Sequence, residues 1–220
     1  MRILIVDDTN THHLSAEQTL KGHNIVHATT HDQAILALTL NIDPQRNLEL
    51  MKGAGVGQEG IDGLEPETVE FIWTEKCNTE EVRKLRDVPP FDVVLLDLLM
   101  PCGRHGRGFK EQFVGQLVPV GFSLLFVAAQ TPGVKHIAVA TATNHHEHPL
   151  SAAIDHLHTP FTVNQTQVTF FHAPMTLVEG TICQHCNGKE TQHKCYYCEG
   201  RNLAQGKDWG KILSKILSSG

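Results

Sequence analysis

The architecture follows from residues 91–101, whose sequence is Phe91-Asp92-Val93-Val94-Leu95-Leu96-Asp97-Leu98-Leu99-Met100-Pro101. Four consecutive branched apolar residues between Asp92 and Asp97 are too few for a helix and predict a strand buried on both faces, as in a parallel sheet. A carboxylate that follows such a strand lies at the carboxyl edge of the sheet, where open α/β folds bind their ligands. Asp97 is therefore the first candidate functional residue.

Composition excludes several classes of protein. The chain has 220 residues, of which 40% are hydrophobic and 19% charged, and its formal net charge is -6. This mildly acidic balance is not the charge signature of a nucleic-acid-binding domain. The apolar runs fall well below the ~20 residues of a membrane span, and the amino-terminal apolar run meets Asp7 and Asp8 too soon for a signal peptide. We therefore expect a cytoplasmic protein without a membrane segment.

Short strands alternate with helices over much of the chain. The predicted strands are residues 2–6, 25–28, 93–96, 136–140 and 167–171, the last of them hairpinned with 161–163. The predicted helices are residues 14–21, 34–38, 78–85, 121–130, 150–157 and 209–217. We expect Asp32 to cap the second helix and residues 69–73 to form a further strand. Residues 41–90 and 102–118 interrupt the alternation and are interpreted as insertions.

Acids and hydroxyls follow several of these strands. Asp7 and Asp8 follow the first strand, and Thr141-Ala142-Thr143 follows the fourth. Alternating strands and helices with such residues at the strand ends predict an α/β fold, a doubly wound parallel five-stranded sheet of the flavodoxin type. We expect this domain to span residues 1–180. A cysteine-rich insertion at 181–204 would follow, and then a helix within 205–220 that is either the last helix of the domain or a free partner-binding surface.

Four segments are informative when taken together: Ile3-Leu4-Ile5-Val6-Asp7-Asp8, Gly22-His23, Asp92 to Pro101, and Thr141-Ala142. In this combination they resemble the receiver domain of two-component response regulators. Insertions that ordinary receivers lack separate them. The resemblance implies a signal-transduction protein that accepts a phosphoryl group from a sensor histidine kinase or a phosphotransfer protein. It also implies action on a downstream protein partner, as a phosphoacceptor rather than a dedicated enzyme.

The resemblance also implies a role for individual residues. Asp97 would accept the phosphoryl group, Thr141 would be the switch hydroxyl, and Mg²⁺ would bind Asp7, Asp8, Asp97 and the backbone carbonyl of Leu99. The residue types suit these roles, because a hard divalent cation relieves the repulsion among three clustered carboxylates. A carboxylate can also attack phosphorus and form an acyl phosphate.

One receiver feature is missing from the expected place. Receivers carry a lysine just before a proline at the end of the fifth strand, where its ammonium pairs with the phosphorylated carboxylate. Here the equivalent dipeptides are Ala173-Pro174 or Thr159-Pro160, and neither contains a lysine. The candidate substitutes are His172, Lys110, Arg104 and Arg107. A pseudo-receiver that works without phosphorylation is therefore the alternative within this interpretation.

A second motif lies near the end of the chain. Cys183, Cys186, Cys195 and Cys198 have the spacing C-x₂-C-x₈-C-x₂-C, which predicts a closed tetrahedral Zn²⁺ site of structural type. Disulfides are the competing interpretation, although a cytoplasmic chain is expected to keep its thiols reduced. His185 or His193 are alternative ligands.

The same segment also has a nucleic-acid interpretation, because zinc knuckles bind RNA. Its basic and aromatic residues are Lys189, Lys194, Arg201, Lys207, Tyr196 and Tyr197. A metal staple for a segment too small to form its own core is the favoured alternative. In the terminal helix, Lys207, Lys211 and Lys215 are expected mostly on the face opposite the apolar stripe.

Several histidines are further candidate site residues. Asn144-His145-His146-Glu147-His148 follows Thr141 and is either a transition-metal site, a relay or a solvated loop. His12 and His13 follow the acidic pair. Two other functions thus compete with the receiver-like one: a metal-dependent phosphotransferase or hydrolase that uses the acids with this histidine cluster, and a zinc-bearing scaffold or nucleic-acid adaptor.

Overall fold

The computed structural model describes residues 1–56, 66–101, 117–142, 156–157, 159–187, 195, 198 and 200–218. In these ranges the helices are α1 Asn10–Thr19, α2 His31–Leu40, α3 Pro44–Gly53, α4 Pro66–Lys76, α5 Glu80–Arg86, α6 Val120–Gln130 and α7 Trp209–Ser218. The strands are β1 Arg2–Val6, β2 Asn24–Ala28, β3 Val93–Asp97, β4 Met100–Pro101, β5 Leu117–Val118, β6 His136–Thr141, β7 Phe161–Val163, β8 Thr166–His172, β9 Met175–Leu177 and β10 Gln205–Lys207.

The main sheet has six strands in the order β2-β1-β3-β6-β8-β7. The first five of these pair in parallel, and β7 pairs antiparallel with β8 as the predicted hairpin. The predicted α/β architecture with a mostly parallel sheet is thus confirmed, with a sixth, antiparallel strand at one edge. No helix in the described ranges is long and apolar enough to cross a membrane.

Alternate residues of the central strands feed two separate cores. In β1, Leu4 and Val6 belong to a core shared with α2 and α6, whereas Ile3 and Ile5 belong to one shared with α1 and α7. This division follows from the two-residue period of a strand, which points successive side chains to opposite faces. The sheet is therefore covered by helices on both faces, as its continuous apolar strands require.

The terminal helix α7 is part of this second core. Trp209, Ile212, Leu213 and Ile216 are all buried, and they pack with residues of β1, β3 and β6. The indole Nε1 of Trp209 donates to the backbone oxygen of His12 in α1 at 3.0 Å. The helix thus covers the sheet rather than offering its apolar stripe to a partner.

Two local predictions were wrong. Residues 69–73 were expected as a strand but lie in α4, where Glu70 and Thr74, one helical turn apart, both accept hydrogen bonds from Asn47 Nδ2, at 3.1 and 3.3 Å. In a helix the side chains at i and i+4 are neighbours about 5–6 Å apart, close enough to share one amide, whereas in a strand they would lie about 13 Å apart. In α2 the cap is Thr30, whose side chain accepts from Gln33 N, while Asp32 lies in the first turn.

Of the two predicted insertions, 41–90 contains α3, α4 and α5. Most of 102–118 lies outside the described residues, and its two ends meet where β4 pairs with β5. The predicted helix at 150–157 lies outside the described residues except for His156 and Leu157.

Gly206 allows β10 to approach α1 closely. A Cβ on Gly206 would lie 2.6 Å from the backbone oxygen of Thr11 and 2.7 Å from the Cβ of Ser15. Gly206→Ala is therefore expected to lower the free energy of unfolding by about 1–3 kcal/mol, the usual cost of overpacking, as measured by urea denaturation. Gly53→Ala is the matched control, because nothing lies within 4 Å of its Cβ position. Equal stabilities for the two variants would contradict this packing.

Candidate functional site

The acidic edge consists of Asp7, Asp8 and Asp97. Asp97 is the last residue of β3 and Asp7 directly follows β1, and these parallel neighbours pair Val6 with Leu96. Each of the three aspartates offers one carboxylate oxygen within 4.8 Å of the others. Asp7 is 0% exposed and Asp97 8% exposed, whereas Asp8 is exposed. The sequence-based expectation that these distant residues converge at one edge of the sheet agrees with this geometry.

A buried lysine completes the acidic edge. Lys207 Nζ donates to Asp7 Oδ2 at 2.7 Å and to Asp97 Oδ1 at 2.6 Å. The lysine is 0% exposed and lies at the end of β10, not on the outer face of a helix as expected. Its burial also removes it from the basic residues proposed to contact nucleic acid.

Sequence reasoning missed this lysine because it was sought before a proline at the end of the last parallel strand. Lys207 instead follows the cysteine-rich segment, and a single residue, Asp208, separates it from α7. The available signal was the predicted terminal helix itself. If that helix is the last of the α/β domain, the residue just before it lies at the carboxyl edge of the sheet.

Backbone contacts fix Lys207 in this place. β10 pairs antiparallel with β9, which opposes Lys207 to Met175. Ser15 Oγ in α1 donates to the backbone oxygen of Lys207 at 2.7 Å, and Asp208 N donates to the backbone oxygen of Pro174 at 2.7 Å. Contacts with α1 and with Pro174 thus hold the backbone around Lys207, and this places its ammonium at the acidic edge.

A second group of contacts orients Asp7. Thr9 N donates to Asp7 Oδ1 at 2.9 Å, and His12 Nδ1 lies 2.9 Å from the same oxygen. His13 Nε2 donates to the backbone oxygen of Asp7 at 2.6 Å, and its Nδ1 lies 2.8 Å from Nδ1 of the buried His27. Burial is the main cause that lowers the pKa of His13, which favours its neutral form. The carboxylate of Asp7 is therefore firmly held.

The pKa values of the two buried aspartates, Asp7 and Asp97, are shifted in opposite directions. Burial, together with the negative charge of Asp7, raises the pKa of Asp97 to about 6 despite the contact with Lys207. Burial would also raise the pKa of Asp7, but Lys207 and His12 outweigh it and hold that pKa well below its usual range. For Lys207, burial opposes the charged form, yet Asp7 and Asp97 raise its pKa overall. Asp97 is thus the more basic of the two buried carboxylates.

Charge counting suggests what this edge can bind. Burial and the neighbouring Asp7 raise the pKa of Asp8. When all three aspartates are ionised, Lys207 leaves them with two uncompensated negative charges. Clustered carboxylate oxygens are the ligands that Mg²⁺ and Ca²⁺ prefer. The donor set therefore fits a hard divalent cation.

The other predicted site residues are placed as follows. Thr141 is the last residue of β6 and is 2% exposed; its neighbour Ala140 pairs with Asp97. His172 pairs with Thr141 in the next strand, β8, and so lies one strand further from Asp97. Leu99 lies in the bend between β3 and β4. His145, His146, Glu147, His148, Lys110, Arg104 and Arg107 lie outside the described residues.

The four-cysteine cluster consists of Cys183, Cys186, Cys195 and Cys198, whose Sγ atoms all lie within 4.8 Å of one another. The Sγ atoms of Cys183 and Cys195 are 3.9 Å apart, and those of Cys186 and Cys198 are 3.7 Å apart. Among the described cysteines no disulfide is formed. Burial raises the pKa of Cys198, but backbone hydrogen bonds with Asn202 and Gly200 outweigh it and lower the pKa to about 7.

Such a group of thiols is compatible with a tetrahedral zinc site, because thiolates are the form that binds the metal. The described His185 is not part of this group, and His193 lies outside the described residues. Comparison with family models, curated proteins and solved structures found no match for this chain. The acidic edge and the four-cysteine cluster are therefore the basis for the function proposed here.

Proposed function

We propose that this chain is a receiver-like signal-transduction protein in which Asp97 accepts a phosphoryl group with Mg²⁺. The observation that carries the proposal is the ammonium of Lys207, which lies between Asp7 and Asp97 at 2.7 and 2.6 Å. A cation in contact with a basic, buried carboxylate is the arrangement that a phosphoacceptor site needs, because phosphoryl transfer depends on positioning and on neutralising charge.

The sheet supports the same proposal. Its parallel strands, taken in spatial order, are β2-β1-β3-β6-β8, and this order supports the proposed flavodoxin-type topology 2-1-3-4-5. In such sheets the strand order reverses between the first and third strands, and ligands bind at that point. Asp7 and Asp97 stand at the carboxyl ends of these two strands. We assign α7 as the last helix of the same domain, delayed by the cysteine-rich insertion.

The proposed reaction uses Asp97 as the nucleophile. A carboxylate oxygen of Asp97 attacks the phosphorus of the donor and forms a new O–P bond. The P–N bond of a phosphohistidine, or the P–O bond of an acyl phosphate, breaks, and its electron pair leaves with the donor group. Lys207 offers positive charge to the phosphoryl oxygens beside Asp97 Oδ1. The donor would be a sensor histidine kinase or a phosphotransfer protein.

Asp7, Asp8, Asp97 and the carbonyl of Leu99 would hold the metal. Bound Mg²⁺ would neutralise phosphoryl oxygens and the carboxylates that face them. Asp7 is preorganised for this role by Thr9 N and His12. The buried hydroxyl of Thr141, one strand away, is proposed as the group that responds to the phosphoryl charge and alters the surface for a downstream protein partner.

The test of this function is incubation with acetyl phosphate and Mg²⁺, followed by intact mass measurement. The expected product is the chain with one added phosphoryl group, formed only while Mg²⁺ is present. Catalytic turnover of phosphoesters without a stable adduct would instead indicate the hydrolase alternative. No adduct and no turnover would contradict the proposal.

We also propose that the four-cysteine cluster binds a structural Zn²⁺. Elemental analysis of the purified protein is expected to find one zinc per chain, because four thiolates close the coordination shell. Cys198→Ser is expected to lose the metal, whereas Cys77→Ser, which changes a cysteine outside the cluster, is expected to keep it. A metal-free protein with free thiols, or iron in place of zinc, would contradict the assignment.

A further inference from the structure

One hairpin connects the four-cysteine cluster to the acidic edge. β9 and β10 have only three residues each, and residues 178–204 join them. All four cysteines lie within this connection, and Lys207 is the last residue of β10. The segment that would bind zinc is therefore the segment that delivers the lysine to the acidic edge.

Backbone hydrogen bonds link the two arms of the hairpin at separate points between the cysteines and the lysine. Cys183 N donates to the backbone oxygen of Asn202 at 2.9 Å, and Val178 N donates to that of Ala204 at 2.9 Å. The antiparallel pairing of β9 with β10 links the same two arms as far as Lys207. Displacement of the strand ends near the cysteines would thus be transmitted along the hairpin.

β10 itself contacts α1 and the acidic edge, through Ser15 Oγ and the ion pairs of Lys207, but the connection 178–204 has few contacts of its own to close it. A two-stranded hairpin is marginal on its own, and a long connection adds an entropic cost to closure. Among the described residues, the buried apolar cluster of this segment consists only of Cys183, Cys186 and Cys198, with Cys195 packed against them. Because no aliphatic or aromatic side chain joins that cluster, the sulfur–metal bonds would be the main interaction that closes the part of the connection around the cysteines.

The far side of Lys207 has a different anchor. α7 begins at Trp209 and stays in the core of the sheet through Trp209, Ile212, Leu213 and Ile216. Loss of the metal would therefore leave the sheet and α7 in place, and β10, then held by β9, Ser15 and the ion pairs of Lys207, would open more often. The ammonium of Lys207, 0% exposed in the closed hairpin, would regain hydration once β10 separates from β9.

We infer that metal binding at the four-cysteine cluster controls whether Lys207 occupies the acidic edge, and thereby regulates phosphoryl acceptance at Asp97. The inference rests on the proposed phosphoacceptor function for its second half only. Its first half, the metal-dependent placement of Lys207, does not depend on that function. The acidic site would then be complete only in metal-loaded protein.

The test is amine labelling of the full chain with an acetylating reagent, read by peptide mass spectrometry. Zinc-loaded protein is compared with protein stripped by chelator and exchanged into Mg²⁺ buffer. Lys207 is expected to be protected in the loaded form and to react at least about tenfold faster after zinc removal, as local opening predicts. Added Zn²⁺ is expected to restore protection. Lys211, whose side chain is 66% exposed, is the internal reference and should react equally in both forms.

Variants and a second readout keep the test decisive. In Cys198→Ser, Lys207 should react as fast as in zinc-stripped wild-type protein. In Cys77→Ser, Lys207 should be protected as in zinc-loaded wild-type protein. Persistent protection of Lys207 in stripped protein would overturn the inference. So would loss of hydrogen-exchange protection throughout β3, because the change would then be global unfolding rather than release of the hairpin.

A phosphorylation assay, run beside the labelling assay, tests the metal-controlled placement of Lys207 and the proposed function separately. With acetyl phosphate and constant Mg²⁺, the rate of adduct formation is expected to fall in stripped protein together with Lys207 protection. If loaded protein forms no adduct while labelling still follows zinc, the proposed function fails and the metal-controlled placement of Lys207 stands. If adduct forms equally in both states while labelling follows zinc, the regulatory half is overturned.

Discussion

Lys207→Met is expected to lower the free energy of unfolding by about 3–5 kcal/mol at pH 8, the usual cost of removing one partner from a buried ion pair. The variant leaves Asp7 and Asp97, which are 0% and 8% exposed, without the ammonium that now contacts both. Methionine has a similar length, so lost packing contributes little. Urea denaturation of the two proteins measures the difference.

The same variant has a predictable pH dependence. Asp97 has a pKa of about 6 in the folded protein, above the value of about 4 expected in the unfolded chain. An acid whose folded pKa is raised contributes stability that is present below the unfolded pKa and is lost as the pH rises through the folded pKa. Without Lys207 that pKa should rise further. The destabilisation by Lys207→Met should therefore be smaller at pH 5 than at pH 8.

Two comparisons make this prediction specific to the acidic edge. Lys211→Met removes a lysine that is 66% exposed and paired with Asp208, and it should cost less than about 1 kcal/mol. Mg²⁺ should recover more stability in Lys207→Met than in the wild-type protein, because three carboxylates without a lysine attract the ion more strongly. Equal destabilisation by the two lysine variants would show that Lys207 is not a buried counter-ion.

Asp97→Asn is expected to abolish formation of the phosphoryl adduct, since an amide cannot act as the nucleophile. The variant should remain folded, because a neutral amide of similar shape replaces a carboxylate that burial already disfavours as an anion. Asp7 still pairs with Lys207 in this variant. Intact mass after treatment with acetyl phosphate and Mg²⁺ measures the loss, and the thermal unfolding midpoint checks the fold.

The matched control for Asp97→Asn is Asp92→Asn. Asp92 directly precedes β3 at the opposite end of the same strand, where it accepts a hydrogen bond from Arg2 N at 2.9 Å. This variant should form the adduct at the wild-type rate. An adduct that persists in Asp97→Asn, or that disappears equally in both variants, would place the phosphoacceptor elsewhere.

Local patterns were sufficient for the sheet and its acidic edge. The apolar run 93–96 is fully buried in β3, and the rule that parallel strands end at one edge of the sheet is enough to predict that Asp7 and Asp97 lie close together. The apolar spacing of 209–217 likewise predicted α7. These features depend on residues close in sequence or on a general rule of parallel sheets.

Lys207 could not be found in the same way. It lies 110 residues after Asp97, beyond an insertion whose length no general rule fixes. Its burial depends on β9, on Ser15 and on two carboxylates from distant strands, none of which a local pattern shows. The helix α4 illustrates a related failure, because valine, isoleucine and aromatic residues favour a strand in isolation while the contacts of Glu70 and Thr74 with Asn47 favour a helix.

Chemical identification of the phosphorylated residue tests phosphoryl acceptance at Asp97 most directly. An aspartyl phosphate is reduced by borohydride to homoserine, so treatment with acetyl phosphate and Mg²⁺, then borohydride, then peptide sequencing by mass spectrometry identifies the acceptor. Phosphoryl acceptance at Asp97 predicts homoserine at position 97 in zinc-loaded protein and none in Asp97→Asn. Homoserine at position 7 or 8 instead, or an unmodified chain under conditions where Mg²⁺ is bound, would contradict it.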